Sequence, residues 1–205
     1  LYGRHQTHKA LEAALNKRTE FDLADAQGVV DASVQHFTAQ FPAFAGLQAP
    51  QERLAQPSVQ TLLWDSARAL GQCSGKTCLT AASALERALT DAHWPGVVDA
   101  LFTKTGGPRK LTDKLVDLTS VQAAQALLQE VQQAQLQDQA WQHQQRMARL
   151  ARGLVQDYAA LKRERGWLDM GDLERTALVL LSDPELSGWV QERLDARVRH
   201  LLIDE

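Results

Sequence analysis

The chain has 205 residues, enough to bury a real core as one domain, or as one domain and part of another. With 22 lysines and arginines against 25 acids, its formal charge of −3 excludes a generally basic nucleic-acid coat, so any contact with DNA must be local. Cys73 and Cys78 are too few for a disulfide framework or a four-ligand metal site and point to a reducing cytoplasm, while no apolar run reaches the roughly 20 residues that span a bilayer.

The pattern is helical almost throughout. Residues 6–17 carry Ala10, Leu11, Ala14 and Leu15 at helical spacing, and residues 23–40 continue with Leu23, Val30, Ala32, Val34 and Phe37 until Phe41-Pro42 interrupts. Pro42, Gly46, Pro50 and Pro57 mark a broken connection. A helix over 58–71 follows, with Val59, Leu62, Leu63, Ala67 and Leu70 on its inner side. The next, over 77–91, turns Ala81, Leu85, Ala88 and Leu89 inward. Trp94-Pro95-Gly96 starts a short helix over 95–103, and Thr105-Gly106-Gly107-Pro108 is a loop by its own chemistry.

Between these helices lies Gly71-Gln72-Cys73-Ser74-Gly75-Lys76-Thr77, which looks like a phosphate-binding P-loop. It is one residue short, since the first glycine of GxxxxGK[ST] would fall on Leu70, and it follows a helical stretch where a P-loop follows a buried strand. It is therefore a helix–helix loop with Gly71 near a helix end. His5, His8, His36, His93, His143 and His200 include no pair with ligand spacing beside thiols or carboxylates, so no metal site is expected. The two cysteines are expected as small buried side chains.

Lys104, Arg109, Lys110 and Lys114 gather around the Gly-Pro loop. They could lay positive charge against duplex phosphates without reading sequence, or form a solvated basic loop. From Ser120 to Arg165 there is no proline, and glycine occurs only at Gly153. Val121, Ala124, Leu128, Val131, Ala140, Met147, Leu150, Leu154, Tyr158 and Leu161 form an apolar series with glutamines in the gaps. One helix of about 70 Å, or two with a break near Glu130 to Gln145, fits this text. Arg146, Arg149, Arg152, Lys162, Arg163 and Arg165 form a second basic sector, expected in solvent or paired with near neighbours such as Asp157 and Glu164.

Asp169, or a neighbour, is expected to cap a helix beginning near Asp172, with Leu173, Ala177, Leu180 and Leu181 packed inward. Ser182-Asp183-Pro184 ends that helix and caps another, whose Trp189, Val190 and Leu194 face the core. The sequence closes with Val198-Arg199-His200-Leu201-Leu202-Ile203-Asp204-Glu205. A buried parallel strand reads as such an aliphatic run and delivers acids to the crevice where these sheets bind ligands, the layout of a Walker B element. A strand that simply emerges into solvent gives the same text.

The order Tyr158-x-x-Leu161-Lys162, then Gly166-Trp167-Leu168-Asp169-Met170-Gly171-Asp172-Leu173, then the acidic strand resembles the UvrD-like superfamily 1 DNA helicases. There a Y-x-x-L-K … G-x-L-D-F-x-D-L segment precedes Walker B, and the departures are Met170 and Gly171. Leu101-Phe102-Thr103-Lys104-Thr105-Gly106-Gly107-Pro108-Arg109-Lys110 is similar to the F-L-T-x-x-G-x-P-R-K segment of the AddA/RecB branch, the helicase–nuclease subunits of double-strand-break repair.

The resemblance implies a mainly α chain: a helical insertion subdomain (1B-type) over residues 1–155, then residues 156–205 returning into the first RecA-like α/β motor domain and ending at a Walker B strand. It implies ATP and Mg²⁺ in the parent protein, with Asp204 holding the metal through water and Glu205 acting as catalytic base on the attacking water. It also implies DNA, duplex and single-stranded, as partner, an AddB- or RecC-like partner subunit, a cytoplasmic location, and a helical arm that meets duplex DNA through Lys104, Arg109, Lys110 and Lys114. The chain is then expected to be an internal piece that is inactive alone, with its P-loop before Leu1 and its arginine finger and nuclease after Glu205. The alternative is a non-catalytic helical DNA-binding or protein-interaction scaffold.

Overall fold

The computed structural model of the protein describes residues 3–114 and 116–197, and every described element is helical. The chain divides into two compact units, one made of residues 1–33 and 146–205, the other of residues 34–145. The junction expected near residue 155 falls inside a single helix, Thr119–Arg165.

The continuous unit, 34–145, holds the hydrophobic core. After the short helix Phe37–Gln40 (numbered α4 in chain order) and two 3₁₀ turns at Pro42–Phe44 and Pro50–Ala55 come α5 (Pro57–Gly71), α6 (Lys76–Thr90) and α7 (Trp94–Leu101). Proline opens α5 and stands in the first turn of α7, where its missing N–H costs no helical hydrogen bond. The α6 helix packs on both α5 and α7. Its Cys78, Ala81, Ala82, Leu85, Ala88 and Leu89 are buried, as are Val59, Leu63, Ala67 and Leu70 of α5, so the inner faces expected for these two helices are found. Ser66 is buried among them, with its hydroxyl 2.7 Å from the carbonyl oxygen of Leu62 and 2.9 Å from that of Ser120.

The helix Thr119–Arg165 (α8) is unbroken over 47 residues. Glutamine, alanine, leucine and arginine are all good helix formers, and one interior glycine costs only about 1 kcal/mol, so the glutamine-rich middle needs no break. Asp117 tethers its start by accepting from the Thr119 amide at 3.0 Å. Its first half buries Val121, Ala124, Leu128, Val131 and Ala134 in the core. Farther along, the side-chain amide of Gln137 donates to the Gln35 carbonyl at 2.6 Å, and Trp141 meets His36 edge-on at 4.6 Å.

The discontinuous unit contains α1 (Arg4–Asn16), α2 (Arg18–Ala26), α3 (Val29–Ala32), the C-terminal part of α8, α9 (Met170–Ser182) and α10 (Pro184–Asp195). The expected helix over 23–40 is therefore three pieces. Gly28 at φ 73° ends α2, because that left-handed conformation stops a right-handed helix. The C-terminal part of α8 turns Ala148, Arg152, Val155, Tyr158, Ala159 and Lys162 toward its unit; of the expected line Tyr158 is among them, whereas Met147, Leu150 and Leu161 are exposed. Ala140 is exposed too, and Leu154 is half-buried.

Gly166 at φ 65° closes α8, with the Trp167 amide donating back to the Lys162 carbonyl at 2.9 Å. The caps of α9 and α10 fall where the sequence places them, on Asp169 and Asp183. The inward packing does not. Leu173, Ala177, Leu180, Leu181, Trp189 and Leu194 are exposed, Trp189 to 57%, because neither α9 nor α10 buries any residue against the described chain.

Candidate functional site

The Gly-Pro loop is a small hairpin. Phe102 and Pro108 form an antiparallel bridge, the Thr103 amide donates to the Gly107 carbonyl at 2.8 Å, and the Gly106 amide returns to the Thr103 carbonyl at 2.9 Å. Lys104 therefore stands in the turn at the tip. Arg109 does more than present charge. Its Nε donates to the Phe102 carbonyl at 2.8 Å and its Nη2 to the Asp99 carbonyl at 3.0 Å, binding carbonyls at the C-terminal end of α7, where a cation also meets the negative end of the helix dipole. Gln125 of α8 holds the same loop, donating to the carbonyls of Leu101 and Arg109 at 3.0 Å each. Lys104, Lys110 and Lys114 are exposed and make no ion pair among the described residues. Arg109 is thus an anchor, and the three lysines are the solvent-facing charges of the set.

The segment Gly71–Thr77 is the turn between α5 and α6, not a nucleotide cradle. Ser74 donates from its amide to Asp113 at 2.7 Å, which gives the loop a carboxylate neighbour unsuited to phosphate. Cys73 and Cys78 are buried free thiols, as expected. Burial, with Cys78 and Asp113 nearby, pushes the Cys73 thiol up to about 11.

Around the helicase-like motif a charged network closes. Lys162, 8% exposed, donates to Asp169 at 3.0 Å and to both Asp172 oxygens at 2.6 and 2.7 Å. The Tyr158 hydroxyl donates to Asp169 at 3.0 Å, and Arg18 of α2 pairs with the other Asp169 oxygen. The two acids form a capping box, each carboxylate accepting the other's backbone amide at 3.1 Å. Burial pushes the Asp169 carboxyl up, but Lys162, Tyr158, the Asp172 amide and Arg18 outweigh it and hold it at about 2. Asp172 is lowered too, first by Lys162, and Lys162 is raised because its two carboxylates outweigh burial.

The expected neighbours for the basic sector are corrected here. Lys162 pairs with Asp169 and Asp172, and Arg152 pairs with Asp25 and Asp31. Arg18, Asp25 and Asp31 carried no motif that would link them to residues more than 120 positions away. No group of three or more His, Cys, Asp or Glu side chains among the described residues could hold a metal ion. Asp204 and Glu205 lie outside the described residues, and so does the strand expected to carry them.

Tyr158, Lys162, Asp169 and Asp172, the residues on which the resemblance to the UvrD-like helicases rests, are thus held together in one charged network. The family model of the UvrD/REP helicase N-terminal domain matches residues 4–205, and the chain belongs to that family. No curated protein and no solved structure matches the chain. It is thus part of a UvrD-like DNA helicase, of the class that couples ATP and Mg²⁺ to work on DNA. No described helix is long and apolar enough to cross a membrane.

Proposed function

We propose that this chain is the arm and first motor-domain return of an AddA/RecB-type helicase–nuclease subunit, which unwinds DNA ends in recombinational double-strand-break repair beside an AddB- or RecC-like partner in the cytoplasm. Residues 1–155 are the arm insertion, and residues 156–205 lead into the RecA-like domain. Asp204 is the Mg²⁺ ligand through water, Glu205 the base, and the hairpin lysines Lys104 and Lys110, with Lys114, face duplex phosphates while Arg109 fixes the hairpin.

Family membership over residues 4–205 carries this reading. Two features support it. Lys162, Asp169 and Asp172 clamp the start of α9, so the last described helices leave α8 in a fixed direction. Leu168, at 78% exposed, and Leu173, Leu181 and Trp189 of those helices leave large apolar side chains uncovered, as surfaces that pack against further protein do.

The test is hydrolysis and unwinding by the complete protein with its flanking sequence. Mg²⁺-dependent ATP hydrolysis stimulated by single-stranded DNA, and co-purification with an AddB- or RecC-like subunit, are expected. A complete protein that binds duplex yet never hydrolyses ATP would make the non-catalytic scaffold correct.

A further inference from the structure

Arg18 opens α2, yet a cation in the first turn of a helix opposes the helix dipole, so nothing in α2 itself calls for it. Its guanidinium is used elsewhere. Nη1 donates to the Leu15 carbonyl at 3.0 Å, near the end of α1, and Cζ lies 5.5 Å from the centre of the Tyr158 ring of α8. Nη2 pairs with Asp169, the N-cap of α9. With its side chain only 14% exposed, Arg18 is a planar fork held at three points and largely removed from water, unlike a flexible surface ion pair.

This approach depends on Gly171. A Cβ added there would stand 3.1 Å from the Arg18 Cζ and closer still to Nη2, so a side chain at this position displaces the guanidinium from Asp169. Gly171 is the second residue of α9 and its φ is not positive, so its own backbone does not require glycine. It is also one of the two positions at which the chain departs from the helicase-like segment.

The start of α9 is thereby tied to two helices at once. Lys162 of α8 takes one oxygen of Asp169, and Arg18 of α2 takes the other. Where the three helices meet, the gap lined by Arg18, Tyr158, Lys162 and Gly171 is about 30 Å³, room for no more than about two waters. Among the described residues the further ion pair between α2 and α9, Asp22 with Arg175, is long at 3.8 Å and exposed, so Arg18 is the close tie between them.

We propose that Arg18, admitted by Gly171, is a positioning residue for unwinding: it locks α2 to the start of α9, so that movement of the segment beyond α9 during ATP hydrolysis is passed to α2 and α8 and not absorbed at their junction. It rests on the reading of residues 156–205 as the return into the motor domain. Arg18 touches no substrate in this role and acts through Asp169.

The experiment compares ATP hydrolysis stimulated by single-stranded DNA with unwinding of a tailed duplex by the complete protein, native and carrying Gly171→Ala, Arg18→Gln, both together, or Gly188→Ala. Gly188 lies in α10 with open space around it, so its variant gains the same helix propensity and displaces nothing. Hydrolysis should stay within about twofold of native throughout, while unwinding per ATP falls about tenfold in Gly171→Ala and in Arg18→Gln, inside the range by which positions along a coupling network alter linkage. The double variant should lose no more than Arg18→Gln alone, because no guanidinium is left to displace. Gly171→Ala should melt no lower than native, since alanine favours helix, which separates positioning from loss of fold. Native unwinding per ATP in both single variants overturns the proposal and leaves the motor reading intact. So does a parallel fall of hydrolysis and unwinding, an equal loss in Gly188→Ala, or a further loss in the double variant. A native protein that hydrolyses no ATP overturns both.

Discussion

Lys162 and Asp172 form the tightest charge pair of the helicase-like motif, with the ammonium 2.6 and 2.7 Å from both carboxylate oxygens and the lysine almost wholly removed from solvent. Ten residues separate them, across the end of α8 and the start of α9. The lysine lies on the inner face of one helix and the acid in the first turn of the next, so the pair fixes the angle at which the chain leaves α8.

Lys162→Met should therefore destabilise the unit that contains it. The substitution keeps the apolar stem but leaves Asp169 and Asp172 half-buried without their shared cation, a loss of about 2 kcal/mol. Urea unfolding followed by circular dichroism measures it. An unchanged midpoint would mean that the network contributes nothing to the fold.

The same network sets a pH window. Asp169, held at about 2, and the lowered Asp172 have folded values below their unfolded ones, so their stabilisation is full above the unfolded carboxyl range and fades as pH falls toward 2. Lys162 is raised, so its share is full below the ordinary lysine value and fades only as pH climbs through its higher folded value. Stability should be flat between about pH 5 and pH 10 in this respect. In Lys162→Met the two carboxyls are held less far below their unfolded values, so the acid-side decline should be shallower, which thermal melts at half-unit pH steps would resolve.

That network also marks where the sequence could be read and where it could not. The inner faces of α5 and α6 were legible because leucine and alanine recur there at helical spacing. The face of α8 beyond Gln145 was read only in part: Tyr158 is on it as expected, but two of its other inward residues, Arg152 and Lys162, are cations. A hydrophobic series passes over them and settles on Met147, Leu150 and Leu161, which are exposed. Their partners Asp25, Asp31 and Asp169 are set by tertiary structure, and the first two lie more than 120 residues away. The α9 and α10 caps were legible because capping is local chemistry. What those helices pack against was not, since the apolar positions of an amphipathic helix look the same whether their cover lies within the described residues or elsewhere.

Arg109 and Lys110 separate anchoring from contact. Arg109→Ala removes two hydrogen bonds to backbone carbonyls and should cost about 1 kcal/mol in the stability of residues 34–145, with Arg109→Lys failing to restore it because an ammonium lacks the planar fork. Lys110→Ala should leave stability unchanged. Equal melting temperatures for all three variants would return Arg109 to the set of purely solvent-facing charges.

Cys73 and Cys78 should be silent toward thiol reagents in the folded chain. Both are buried, and the Cys73 thiol, pushed up to about 11 chiefly by burial, holds almost no thiolate at neutral pH. Titration with a disulfide chromogen at pH 8 should show no fast-reacting thiol before denaturation and two afterwards. Rapid reaction of either in the native chain would contradict the packing of the α5–α6 turn.

The most direct test of the motor reading is single-turnover ATP hydrolysis by the complete protein carrying Glu205→Gln, with single-stranded DNA and Mg²⁺ present. A base that activates the attacking water contributes about 10² to 10⁴ in rate, so hydrolysis should fall by at least about a hundredfold while DNA binding is retained. Hydrolysis at the native rate would contradict the assignment of Asp204 and Glu205 to an ATP site.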